Sequence, residues 1–285
     1  MINLIFTVCN GRCGSATLAR LINSNCVDAL AEVEPPGLFY PNHWVFGNWL
    51  RNVQRRWIVT DEMMGRGSAF EWYAGNKHVE LCNLSTSRLQ RVGRLCNRSD
   101  KKHYFELSKF FIRTYFEATY KLRSDIGILF LHRDPLYNAR SYVNRRKNFF
   151  LDNQSPNGKN VHISMNSDFL SKFQLYLWSW CETEIRFRRF VSQNNIKRYF
   201  ELSSDDLFNH KKFLSMLDFF SIAHLGHSEF VNVSPINTNE EDGYGQTKIK
   251  QRDLDDFCAF VDMLPKHTLA EIPSFSGWVG KYISR

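Results

Sequence analysis

The sequence predicts an α/β fold, a three-layer sandwich whose central, mostly parallel sheet of about five strands is flanked by helices. Two observations predict it. Short runs rich in β-branched and aromatic residues alternate with longer segments whose apolar residues recur at helical spacing. No repeat, low-complexity tract or confident linker divides the 285 residues, so 1–285 reads as one domain.

The elements follow in order. Leu4 to Val8 is a continuous apolar run, as a strand covered on both faces requires, and Ser15 to Ile22 continues it as a helix. Val27 to Val33 is the second strand. His78 to Leu95 shows helical periodicity before the third strand, Tyr104 to Leu107, and Phe111 to Leu122 shows it again before the fourth, Ile126 to His132. Pro135 to Lys147 and Phe169 to Val191 are helices preceding the last strand, Tyr199 to Leu202, and Asp205 to Phe219 is the helix after it. The polar stretches Asp152 to Ser167 and Asn232 to Thr247 read as surface loops.

Composition narrows the function. The chain is 43% hydrophobic, and 37 Lys and Arg against 29 Asp and Glu give a formal charge of +8, which implies an anionic partner without separating nucleotide from nucleic acid. The seven cysteines form no CxxC pair and sit mostly in apolar runs, which fits reduced thiols in the cytoplasm. No stretch approaches the roughly 20 apolar residues of a membrane span. The first apolar segment lacks the basic flank of a signal peptide.

"CNGRCGSATLARL", Cys9 to Leu21, joins the first strand to the first helix. Gly11 and Gly14 permit a tight turn, Ser15 and Thr17 add hydroxyls beside unpaired helix amides, and Arg12 adds a cation whose planar fork suits phosphate or sulfate. The alternative is an ordinary strand-to-helix turn. A metal-dependent triphosphatase needs GxxxxGK[ST], and no GK pair exists; "GRCGSAT" also departs from the GxGxxG of dinucleotide folds.

In "ILFLHRDPLYNARSYVNRRKNF", Ile128 to Phe149, an apolar strand ends at Arg133, Asp134 is placed as an N-cap and Pro135 as the first helical residue. Arg133 therefore sits at a carboxyl strand end, where open α/β sheets bind ligands, and Ser141 lies about two turns into the next helix. The letters HRD do not make a protein kinase, because Ala139 stands where the catalytic-loop asparagine belongs and neither DFG nor VAIK occurs.

Together the two motifs resemble the sulfotransferases that use 3′-phosphoadenosine 5′-phosphosulfate (PAPS). In that family R/K-x-G-[ST]-x-[ST] after the first strand holds the 5′-phosphosulfate, and an arginine at a later strand end, with a serine eight residues on, holds the 3′-phosphate. The matching residues here are Arg12, Cys13, Gly14, Ser15, Ala16 and Thr17, then Arg133 and Ser141. The resemblance implies a P-loop-like sandwich, PAPS as co-substrate and no metal. "RYFELSSDDL" and "LYLWSWCETEIRF" are similar to the late strand and the tryptophan-bearing helix of these enzymes, and Gly243 to Arg252 is the candidate for their basic C-terminal segment.

Transfer to a hydroxyl needs an in-line acceptor, neutralisation of the leaving phosphate and a base. "LAEVEPPGLFYPNHW" supplies Glu32 and Glu34, which period-two alternation puts on one face. Glu34, followed by proline as in the carbohydrate branch, is the expected base, with His43 in reserve. Lys109 is a candidate contact for the phosphosulfate. Phe39, Tyr40, Trp44, Phe46 and Trp49 suit stacking on a carbohydrate or glycolipid, although a helix face entering the core explains any one of them equally well. The basic clusters 145–147 and 186–189 read as solvated helix faces rather than a nucleic-acid surface, and HxxH at His224 and His227 lacks further metal ligands. A small-molecule kinase and a non-catalytic polyanion binder are the alternatives.

Overall fold

The computed structural model describes residues 2–35, 53, 57, 59–225, 230–235, 244 and 247–283. Its elements are β1 (Asn3–Val8), α1 (Ser15–Asn25), β2 (Ala29–Val33), α2 (Ser68–Ala74), α3 (His78–Ser99), β3 (His103–Leu107), a π-helical turn (Phe111–Tyr115) running into α4 (Phe116–Leu122), β4 (Gly127–His132), α5 (Pro135–Asn144), the short α6 (Phe149–Asp152), α7 (Lys172–Gln193), β5 (Tyr199–Ser203), α8 (His210–Phe219), α9 (Gln251–Met263), α10 (Lys266–Glu271) and α11 (Pro273–Ile283).

The five strands form one sheet in the order β2-β3-β1-β4-β5, with every pairing parallel. β1 is central, with Ile5 opposite Phe105 on one side and Gly127 on the other. Its alternation divides the core. Leu4, Phe6 and Val8 face a layer containing Tyr73, Val92, Phe111, Phe116 and Phe187, whereas Ile5 and Cys9 face α1 and α8 through Leu18, Ile22, Phe213 and Phe220. The helix after β1 and the helix that returns β4 to β5 thus lie on opposite faces, which opens a crevice beyond the carboxyl ends of β1 and β4.

A third apolar cluster lies outside the sheet. Phe257, Phe260, Leu264, Ile272 and Phe275 of the last helices pack on Leu136, Tyr176 and Trp180 of α5 and α7. Three polar ties fix them there. Arg140 Nε bonds Asp253 at 2.8 Å, the Tyr282 hydroxyl donates to Asp134 at 2.5 Å, and Glu184 accepts the first free amides of α11, Ser274 and Phe275, at 2.9 and 3.0 Å.

The sequence expectations differ from this fold in several places. The 186–189 cluster is not a solvated face: Arg186 is buried against Glu182 at 2.6 Å, and Arg188 and Arg189 pair with Glu201 and Glu271. The segment 111–122 begins as a π-helical turn, and the helix expected from Phe169 starts at Lys172, behind a Ser171–Gln174 capping box. Finally, Glu32 and Glu34 do not share a face in register, because the strand ends at Val33 and Glu34 has φ 49°, in the left-handed region.

Candidate active site

The turn after β1 is built around backbone conformations that side chains resist. Gly11 and Gly14 have φ of 77° and 85°, and Arg12 between them has 55°. A Cβ on Gly11 would lie 2.1 Å from the Tyr142 hydroxyl, and one on Gly14 would lie 2.7 Å from Leu207 Cδ1. Gly14 is the N-cap of α1 and offers no side chain to its amides. The helix start is therefore a set of backbone donors, polarised by α1, with Ser15 at its edge and Thr17 buried beneath.

A buried polar network holds this turn to the neighbouring elements. Asn10 Nδ2 donates to Asn138 at 3.0 Å, its carbonyl accepts the Tyr142 hydroxyl at 2.7 Å, and its Oδ1 accepts Arg113 and Ser179, each at 2.7 Å. Asn138 Nδ2 also donates to the Gly11 carbonyl at 2.7 Å. Among sequence-predicted residues, Arg12 Nε donates to Ser141 Oγ at 3.2 Å, and Arg133 Nη1 reaches the Arg12 carbonyl at 3.4 Å. The two motifs, separated by more than a hundred residues, meet in one place.

Their charges reinforce one another. Burial first, then Arg145, with Arg133 adding, pulls the Arg12 guanidinium down to about 10, which leaves it cationic at neutral pH. Arg12 and Arg133 at the turn before the α1 amides, with the charge of Arg145 acting on Arg12, make a site suited to an anion. The thiols beside them are inert, since burial raises Cys9 to about 11 and Cys13 further still.

Asn10, Asn138, Arg113, Tyr142 and Arg145 were not singled out by the motifs. A signal for three of them exists: Asn138, Ser141, Tyr142 and Arg145 stand at helical spacing i, i+3, i+4 and i+7, on the stripe that faces the turn.

The two candidate glutamates separate. Glu32 accepts Arg91 at 2.5 Å and the Tyr104 hydroxyl at 2.6 Å, a structural cluster on the α3 side. Glu34, its amide bonded to the Leu107 carbonyl at 3.1 Å, exerts its charge on Lys109 and Cys9 instead. Lys109 is 6% exposed and pairs with Asp152 at 3.2 Å. The chain beyond Glu34 is anchored by Arg88, which bonds the carbonyls of Pro35 at 3.2 Å and Met63 at 2.5 Å while paired to buried Glu106 at 2.6 Å. His43 and the aromatic residues 39–49 lie outside the described residues, as does part of Gly243 to Arg252.

The fold has a solved counterpart. Over 97% of this chain and 98% of the other, the structure superimposes on a sulfotransferase domain from the curacin biosynthetic pathway with a TM-score of 0.53 at 13% identity. The fold is that of a sulfotransferase domain. A second such domain, from the Synechococcus PCC 7002 olefin synthase, aligns over 96% of this chain and 94% of its own with a TM-score of 0.49 at 12% identity. No family model and no curated protein sequence matches the chain. In the sulfotransferase fold seen here, the β1–α1 turn and the β4–α5 turn are neighbours. Among the described residues no helix is long and apolar enough to cross a membrane.

The Gly11 geometry carries a prediction. Gly11→Ala is expected to cost more than the roughly 1–2 kcal/mol of a left-handed alanine, because the new methyl also displaces the Tyr142 hydroxyl from Asn10. Gly93→Ala, in the middle of α3 with open space around it, is expected instead to stabilise by about 0.5–1 kcal/mol. Paired urea denaturation curves measure both, and a Gly11→Ala midpoint equal to wild type would refute the argument.

Proposed function

We propose that the chain is a PAPS-dependent sulfotransferase acting on a hydroxyl of a carbohydrate or glycolipid. The observation that carries this reading is the meeting of Arg12, Arg133 and Ser141 at the amide-lined start of α1. PAPS, when bound, supplies the sulfuryl group. The residues present fit it: the two candidate anion motifs lie side by side, and the close packing of Tyr142 and Leu207 on Gly11 and Gly14 holds the turn between them in its left-handed shape.

In this reading the amides of residues 13–17 and Arg12 receive the 5′-phosphosulfate, and Arg133 with Ser141 receives the 3′-phosphate. Arg12 and Lys109 offset the charge that grows on the bridging oxygen as the sulfur–oxygen bond breaks. Glu34 accepts the proton that leaves the acceptor hydroxyl as its oxygen bonds to sulfur. The aromatic run after Glu34 supports a sugar-faced acceptor, and the free thiols fit a reducing, cytoplasmic setting.

A thermal-shift titration without magnesium tests the reading, comparing 3′-phosphoadenosine 5′-phosphate with 5′-AMP and Mg-ATP. Ligand at 100 times its Kd adds about 2.7 kcal/mol of stability. A rise selective for the 3′-phosphorylated nucleotide is expected. Stabilisation by Mg-ATP alone would replace the reading with a kinase, and no response to any nucleotide would remove it.

A further inference from the structure

Asp152 was part of a polar loop in the sequence, yet it lies at the junction of three basic side chains. Its Oδ2 takes the Lys109 ammonium at 3.2 Å, its Oδ1 takes Arg66 Nη1 at 3.3 Å, and its carbonyl accepts Arg113 Nη1. Each of these residues leads elsewhere. Arg113 continues to Asn10 under the cradle turn, and Arg66 is tied to Asp61 at 2.6 Å on the stretch that follows the Arg88 anchor at Met63. The Lys109 stem lies against the turn itself, since a Cβ on Gly11 would meet its Cδ at 3.2 Å.

The backbone carrying Asp152 is fixed from both ends. Asn148 caps the short helix through the Phe150 amide at 3.0 Å, and Asn153 Nδ2 returns to the Phe149 carbonyl at 2.8 Å, while Phe149 is buried. The carboxylate is thus a fixed point for the lysine, on which the charge of Glu34 also acts. With Asp152 removed, the buried ammonium would lose the carboxylate that stands 3.2 Å from it.

We propose that Asp152 is a positioning residue: its carboxylate holds the Lys109 ammonium beside the cradle turn. The inference rests on the sulfotransferase reading above. Burial already lowers the Lys109 pKa against the opposing pull of Glu34 and Asp152, with Arg113 and Lys147 lowering it further, and the rings of Phe110 and Tyr142 complete its surroundings. A lysine that loses Asp152 therefore sheds its proton at lower pH.

The test is calorimetric titration of the full chain with PAPS itself between pH 6 and 9, which needs no acceptor. Asp152→Asn is expected to weaken PAPS about tenfold and to move the loss of affinity with rising pH to lower pH. In a Lys109→Met background the same substitution is expected to change neither quantity. An unshifted pH profile, or an equal loss in both backgrounds, would make Asp152 merely structural and overturn the proposal. Should Asp152→Asn fail to fold, Lys109→Met/Asp152→Leu replaces the pair with apolar side chains, and weaker PAPS binding than in Lys109→Met alone would overturn it in the same way. Failure of the wild-type chain to bind PAPS at any pH would instead refute the sulfotransferase reading.

Discussion

Arg133→Ala is expected to weaken 3′-phosphoadenosine 5′-phosphate by about 2–4 kcal/mol, roughly 30- to 1,000-fold, while leaving the weaker binding of 5′-AMP unchanged. The split follows from what the side chain does and does not support. Its bond to the turn, to the Arg12 carbonyl, is long at 3.4 Å. The backbone at this position is held independently, by the Trp180 indole donating to the Arg133 carbonyl at 2.9 Å and by Asp134 capping α5 through the Leu136 amide at 2.9 Å. Alanine therefore removes a cation and leaves the strand end in place. Calorimetric titration of both nucleotides measures the difference, and equal losses for the two would show that Arg133 supports the cradle rather than a 3′-phosphate.

Glu34→Gln is expected to slow sulfuryl transfer about 10²- to 10⁴-fold with donor affinity nearly intact. The amide is isosteric and keeps the backbone bond to Leu107, so the left-handed bend at residue 34 is retained. What is lost is a group able to accept the hydroxyl proton. Glu32 does not replace it, because its carboxylate is engaged by Arg91 and Tyr104 on the α3 side. Single-turnover transfer of labelled sulfate from PAPS, to any hydroxyl the wild-type chain sulfates, gives the rate. Full turnover by Glu34→Gln would take this residue out of the mechanism.

Much of this was legible in the residues. Each strand is a short apolar run because a parallel sheet buries both faces, and in β1 five of six residues are buried, so hydrophobicity alone marks it. That Arg12, Arg133 and Ser141 meet was legible because the proposed phosphate-binding turns constrain spacing within a motif. The supports of that site were not. Asn10, Arg113 and Ser179 come from the turn after β1, the π-helical turn and α7, and nothing local in any of them signals that they share a hydrogen-bond network. Asp152 was hidden for the same reason, since a carboxylate in a polar stretch looks solvated until its basic partners arrive from other elements. The last helices had a readable pattern, with Leu254, Phe257, Val261 and Leu264 at helical spacing, but three acidic residues among them masked the stripe. Glu34 shows the limit of periodicity: alternation holds along β2 and stops where φ turns positive, one residue past the strand.

The central place of β1 bears on how the chain is made. The first strand to leave the ribosome has as neighbours β3, paired through His103, and β4, paired through Gly127. At ordinary rates of synthesis the wait for those partners is on the order of 10 s. For that time an apolar segment with two open edges has nothing to pair with, and closing the sheet then requires contacts distant along the sequence, which slows folding further. The cradle turn is translated before the residues that shape it, because Asn138, Ser141 and Tyr142 follow more than a hundred residues later and bond Asn10 and Arg12. Nascent chains ending before β3 therefore leave both edges of β1 unpaired, and chains ending before α5 have the sheet's centre but not the side chains that shape the turn beside it.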